Sequence, residues 1–141
     1  MGMNSTPIAQ HDIQSPTDIR LLVDSFYDKA RQDELLAPIF DHAISDWVHH
    51  LPTMYQFWER LLLGSTDYNG NPFSKHPNLS LNSEHFVRWL ELFNQTLDEN
   101  FFGTKTEETK RLASNIAGSF QLRMGITPAN NDFETLNYSR A

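Results

Sequence analysis

Four residues of this chain carry side chains suited to binding chemistry: Tyr27, His50, Trp89 and His76. The first three fall in register with apolar stripes of helical period. Tyr27 shares its stripe with Ile19, Leu22, Val23, Phe26 and Ala30, and His50 with Trp47, Leu51, Met54, Phe57, Trp58, Leu61 and Leu62. Trp89 shares a third with Phe86, Leu90, Phe93 and Leu97. Taken singly, each is a core residue whose polar handle finds a neighbour when its apolar body is buried. Three helices each directing one hydrogen-bonding group inward form a constellation, which suggests a polar ligand held inside an apolar pocket. His76 stands apart, in the turn-rich stretch NGNPFSKHPNL at 69–79. Judged by spacing alone it is an ordinary loop histidine.

Other chemistries find no support. The chain has no cysteine, hence no disulfide, thiolate metal site or thiol nucleophile. It lacks an H-E-x-x-H helix, a G-x-S-x-G elbow and a glycine-rich phosphate loop. A net charge of −7 argues against nucleic acid as a partner, since phosphate neutralisation needs clustered Lys and Arg. The remaining histidines are expected at the surface: His11 and His42 solvated, His49 pointing sideways or outward, His85 in the first turn of a helix. The N-terminus MGMNSTPIAQHDIQSPTD has no basic region followed by an apolar run, so no secretory signal is expected. No apolar stretch approaches the ~20 residues of a membrane span. The expectation is a soluble, cytoplasmic protein.

The elements that must position these residues are helices. A length of 141 residues fits one domain with a single core. The expected division is a flexible segment 1–14, a domain 15–125 and an irregular tail 126–141. Ser15 as N-cap, Pro16 at the first helical position and the acidic Asp18 three after the cap make a helix start. A short segment around LLAPIF follows, broken by Pro38 and ending at Phe40. Ser45 or Asp46 opens the second long helix and Gly64 closes it. Residues 65–82 read as a long loop with one helical turn near Ser74–His76, and loops of that length are usually functional or disordered. Asn82 or Ser83 caps the third long helix. Thr104 with Glu107 makes a capping box for the fourth, whose stripe is Leu112, Ile116, Ala117, Phe120 and Met124 and which ends at Gly125. No alternation of period two is long enough to propose a sheet, so the class is all-α.

Over about residues 18–125 the chain resembles the truncated haemoglobins, specifically the group III branch of bacterial two-over-two globins. The likeness rests on FYDKARQDELLAPIF, on Trp47, His50 and Trp58 in the second long helix, on FWERLLLGSTDYNGNPFSKH and on WLELF. The run from LLLG to His76 is the most specific, because it joins a helix end, a loop and a histidine at fixed spacing. The resemblance implies a two-over-two helical sandwich around haem b. By the same likeness His76 is the proximal histidine that binds haem iron. Tyr27, His50 and Trp89 then form the distal side, and Phe40, Phe26, Met54 and Trp58 line the pocket. Lys75 is positioned to meet a haem propionate. One residue departs from a regular helix: Pro52 removes a hydrogen bond two residues after His50, so the helix is expected to begin only near Leu51.

The function implied is reversible binding of O2, NO, CO, cyanide or peroxide. Two hydrogen-bond donors over the ligand favour redox chemistry or NO and peroxide detoxification over bulk O2 transport, with an unidentified reductase as partner. Whether the chain turns over substrate, in a peroxidase-like or NO-dioxygenase-like reaction, stays open. The alternatives are a haem-based sensor or carrier without turnover, and a haem-free helical interaction module whose aromatics are simply core.

Overall fold

The computed structural model describes residues 10–64 and 81–126, which form five helices: α1 Pro16–Ala30, α2 Ala37–Ala43, α3 Trp47–Leu63, α4 Ser83–Asn100 and α5 Thr104–Arg123. Among the described residues the only extended pairing is an isolated bridge between His11 and Phe101. The main helix–helix contacts are α1 with α3, α4 with α5, and α1 with α4. Two helices thus lie over two, with α1 as the link between the layers.

Helix α1 follows the sequence pattern closely. Ser15 accepts from the Asp18 N–H, the Asp18 carboxylate reaches back to the Ser15 N–H, and Pro16 sits at the first position. Every residue of the stripe from Ile19 to Ala30 is buried. Leu22 and Ile19 are completely covered, and each buried aliphatic side chain of this kind stabilises by about 1.5–3 kcal/mol.

Helix α3 corrects one expectation. It starts at Trp47 under an Asp46 cap, not near Leu51, and Pro52 lies inside it. Pro52 is only the sixth helical residue, so a single intrahelical bond, to the Val48 carbonyl, is lost. Val48 is 78% exposed, which leaves that end of the helix open to water. His50 donates its own N–H to the Asp46 carbonyl at 3.0 Å and is held in the first turn. Gly64 closes the helix at φ 76°, a left-handed conformation that favours glycine.

Pro38 does not break the short segment; it stands in the first turn of α2, where a missing N–H costs nothing. Asn82 caps α4, and the His85 ring accepts from the Asn82 N–H at 3.0 Å. His85 is therefore half-buried in the cap and not simply a surface residue. Helix α5 ends as expected of a glycine stop. Gly125 has φ 71°, its N–H reaches the Leu122 carbonyl, and the Ile126 N–H reaches that of Gln121.

The start of α5 differs from the sequence reading. Gly103 occupies the cap position without any side-chain bond, and Thr104 with Glu107 makes no capping box. The cap comes from Asp12, whose carboxylate accepts from Lys105 N at 2.7 Å, Thr106 N at 2.8 Å and Thr106 Oγ1 at 2.7 Å. Residues 10–14 are accordingly tied to the domain. Ile13 is buried, Gln10 Nε2 donates to the Glu99 carbonyl at 2.6 Å, and the Phe102 N–H donates to that of His11. His11 is not merely solvated: it pairs with Asp18 at 3.1 Å and lies edge-on to Phe101. The buried face of α5 is Thr106, Thr109, Ala113, Ala117, Gly118 and Gln121, with Leu112, Ile116 and Phe120 only partly covered. Small residues make up most of the buried face of α5, while Leu112 and Ile116 pack against the core and stay partly uncovered.

Candidate functional site

Near the end of α1, Tyr27 directs its hydroxyl toward the first turn of α3. Its Oη lies 3.1 Å from Nε2 of His50. Burial leaves Tyr27 only 8% exposed and pushes its phenol well above the ordinary value, so the hydroxyl keeps its proton at neutral pH. Either the phenol O–H donates to the imidazole or an imidazole N–H donates to the phenol oxygen, according to the tautomer.

Aromatic rings enclose this pair. Trp47 sits edge-on to Tyr27 at 5.2 Å and to His50 at 5.7 Å, and Tyr27 and His50 are themselves edge-on at 5.5 Å. Helix α2 supplies Phe40, which meets Tyr27 at 5.5 Å and Phe26 at 6.5 Å. Phe26 meets Trp89 at 5.7 Å and Phe93 at 5.5 Å. Trp89 stacks on Phe93 at 5.1 Å, and Phe93 stacks on Trp58 at the same separation. These are the geometries that aromatic quadrupoles favour, each worth about 0.5–1.5 kcal/mol beyond area burial.

Of the residues singled out in the sequence, Tyr27 and His50 are thus brought into contact, with Phe40 and Phe26 packed around them. Trp89 joins them through Phe26. Trp58 is buried behind Phe93, and Met54 is half-buried against the core. His76 and Lys75 lie outside the described residues, as does the expected turn at 74–76. His49 points outward, its ring paired with Asp46 at the helix start.

Phe40, Trp47, Leu51, Met54, Trp89 and Leu90 pack against the core yet remain partly uncovered. They project from α2, α3 and α4. Apolar and aromatic surface of this kind, with a few inward hydrogen-bonding groups, suits a flat apolar ligand that bears a polar centre.

Two ties set the geometry. Asp33, its side chain 7% exposed, accepts from the Leu35 and Leu36 N–H groups and from Arg88 Nε at 2.7 Å. Burial pushes its carboxyl up, but the Arg88 and Leu36 hydrogen bonds outweigh this and hold it below the usual range. That bridge fixes the turn leading into α2 against α4, and so Phe40 relative to Trp89. On the other side Tyr55 donates to Asp24 at 2.5 Å, joining α3 to α1. Burial and the Asp24 carboxylate push the Tyr55 phenol up to about 12.

Sequence reasoning missed Asp33, Arg88 and Trp47 as contributors to the site. Asp33 and Arg88 look like any surface charges, and only tertiary structure brings them together across 55 positions. Trp47 did carry a signal, being one turn before His50 on the same stripe.

Comparison with known proteins gives a consistent answer. The sequence model of the bacterial-like globins matches residues 12–120. The chain is 37% identical over 108 residues to a group 3 truncated hemoglobin of Campylobacter jejuni, covering 73% of this chain and 85% of that protein. It is similar in fold to the crystal structure of the group III truncated hemoglobin from Campylobacter jejuni, with a TM-score of 0.75 and 33% identity. That match covers 82% of this chain and 95% of the other.

Proposed function

The chain belongs to the bacterial-like globin family, among the group III truncated haemoglobins, and from that premise we propose that it binds haem b and uses it to bind O2, NO and related small ligands in redox chemistry or detoxification. Bound in a globin, haem supplies an iron with one open position for a diatomic ligand or peroxide. The carrying observation is the Tyr27–His50 pair at 3.1 Å inside an aromatic shell whose neighbouring walls are only partly covered. Those walls fit a porphyrin: apolar and flat, with polar groups gathered at one side.

The chain's own residues divide the work. His76 would hold the haem iron through an imidazole nitrogen, and Lys75 would offer a cation to a propionate. Phe40, Phe26, Met54 and Trp58 exclude water and keep the macrocycle in an apolar medium, where hydrogen bonds to a charged ligand gain strength. Tyr27, kept protonated by burial, donates its O–H to the ligand. Trp89 adds an indole N–H. A hydrogen bond to a charged acceptor contributes about 1.5–3 kcal/mol, and two would retain O2 too firmly for efficient shuttling. His50 Nε2 is engaged by the Tyr27 hydroxyl, and once its ring turned toward the ligand it would be free to take a proton from a peroxide and return it to the departing oxygen.

Titration of the purified chain with haem tests the reading. A Soret band at one haem per chain is expected, lost in His76→Gly and restored by added imidazole. No Soret band in the natural chain would overturn it. Rapid mixing with NO and with peroxide, in the presence of a reductant, then separates turnover from simple binding.

A further inference from the structure

Trp47 is claimed by none of the roles above, yet it touches both members of the Tyr27–His50 pair. The three rings form a closed triangle with centroid separations of 5.2, 5.5 and 5.7 Å, each ring nearly perpendicular to the next at 72°, 81° and 88°. The outer side of the triangle is covered too. The Arg31 guanidinium stands over the Trp47 ring at 4.3 Å from its centroid, close enough for a cation–π contact. Arg31 is the C-cap of α1, four residues after Tyr27, while Trp47 is the first residue of α3, three before His50. The contact therefore joins the two chain segments that carry the pair.

We infer that Trp47, held from outside by Arg31, is a positioning residue that keeps Tyr27 and His50 in register for the ligand. The tie matters because α3 gives up one backbone bond right after its first turn. Pro52 removes the bond to Val48, and Val48 itself is 78% exposed. The Asp46 cap and the His50 N–H bond hold the backbone of that turn, and an aromatic wedge clamped at its outer face sets where the His50 ring points. Arg31 suits this role better than lysine, since a planar guanidinium stacks on an indole and an ammonium does not.

The inference rests on the haem-binding reading, and the experiment separates the two. The haem-loaded protein is prepared as the natural chain and as Trp47→Ala, Trp47→Phe, Arg31→Gln and Arg31→Lys. The CO stretching band reports the hydrogen-bonding field at the ligand, and O2 dissociation is followed in the same samples. The natural chain is expected to give one dominant band. Trp47→Ala should broaden or split it and speed O2 release about tenfold, and Arg31→Gln should do so about threefold, consistent with the modest strength of a half-exposed cation–π contact. Trp47→Phe, which keeps a ring in the triangle, should restore most of the natural band, and Arg31→Lys should fall between. Arg31→Gln leaves α3 untouched, so it decides the matter even where Trp47→Ala folds poorly. A band and a release rate unchanged in both Trp47→Ala and Arg31→Gln overturn the positioning role while leaving haem binding intact. Failure of the natural chain to take up haem overturns the earlier reading instead.

Discussion

The two ends of the helical sandwich are built by different physics. At one end, where α4 meets α5, polar groups tie everything down. Asp12 caps α5, Lys105 Nζ donates to the Leu62 carbonyl at 2.9 Å, and Gln10 reaches the last carbonyls of α4. Lys29 pairs with Glu99 and Lys110 with Asp98, both at 2.6 Å. At the other end, where α2 and the start of α3 face the first half of α4, ring contacts dominate and much apolar surface stays half-covered. The tied end fixes the frame. The aromatic end keeps the freedom and the uncovered surface that a ligand site requires, and the mid-regions of α1 and α4 connect them. A small domain has only about 5–15 kcal/mol of stability to distribute, and here most of the polar ties lie away from the ligand surface, with the Asp33–Arg88 bridge beside α2 as the exception.

Substitutions at each end should therefore separate stability from ligand chemistry. The largest effect is expected for His76→Gly, which should abolish haem retention in gel filtration while imidazole restores it. Tyr27→Phe should come next, raising the O2 dissociation rate about 10–100-fold, as befits a lost hydrogen bond to a charged acceptor. Its cost in urea unfolding should stay within about 1 kcal/mol, because the ring contacts persist. Asp12→Ala should do the reverse. We expect a loss of about 2 kcal/mol in unfolding free energy from the missing cap, with the ligand spectrum unchanged. A spectrum that shifts in Asp12→Ala would show that the two ends are coupled.

The smallest effect concerns acid. Burial pushes the Asp12 carboxyl up, but hydrogen bonds from the Thr106 hydroxyl and from the Lys105, Ile13 and Thr106 N–H groups outweigh it. Asp18 behaves alike: burial raises it, and the Gln14 N–H, His11 and the Ser15 N–H lower it further. Both pKa values are depressed in the folded chain. The stability they contribute is thus fully present above the ordinary carboxylate value and fades as pH falls through the folded value. Urea midpoints measured between pH 7 and pH 3 should decline less steeply in Asp12→Asn than in the natural chain. An equal slope would remove Asp12 from the acid response.

Much of the frame is legible in the sequence because it is local. Ser15, Asp46 and Asn82 announce helix starts within three residues of the N–H groups they satisfy, and Gly64 and Gly125 mark stops that require positive φ. Tyr27 and His50 could be expected to face inward from their stripes. Their direct contact, the Asp33–Arg88 bridge and the role of Trp47 depend on how helices cross, which one-dimensional spacing does not encode. The capping box proposed at Thr104 failed for the same reason, since a better acceptor arrives from the far end of the chain. In α5 the expected stripe overlaps the observed face: Ala117 is buried, and Leu112 and Ile116 pack against the core while staying partly covered. The small Ala113 and Gly118, which the stripe left out, are buried beside it.

The Asp12 cap also bears on the order of assembly. Its contact with Thr106 spans 94 positions, so the carboxylate emerges from the ribosome long before the helix it serves. Until that helix arrives, the first turn of α5 has no side-chain cap of its own. Closing so long a loop is only slightly costlier than closing one half its length, by about 0.6 kcal/mol, yet such non-local contacts are among the slower to form. The Asp12 cap thus makes the start of α5 depend on a residue from the opposite side of the sequence, so that helix and the segment before α1 gain their order together.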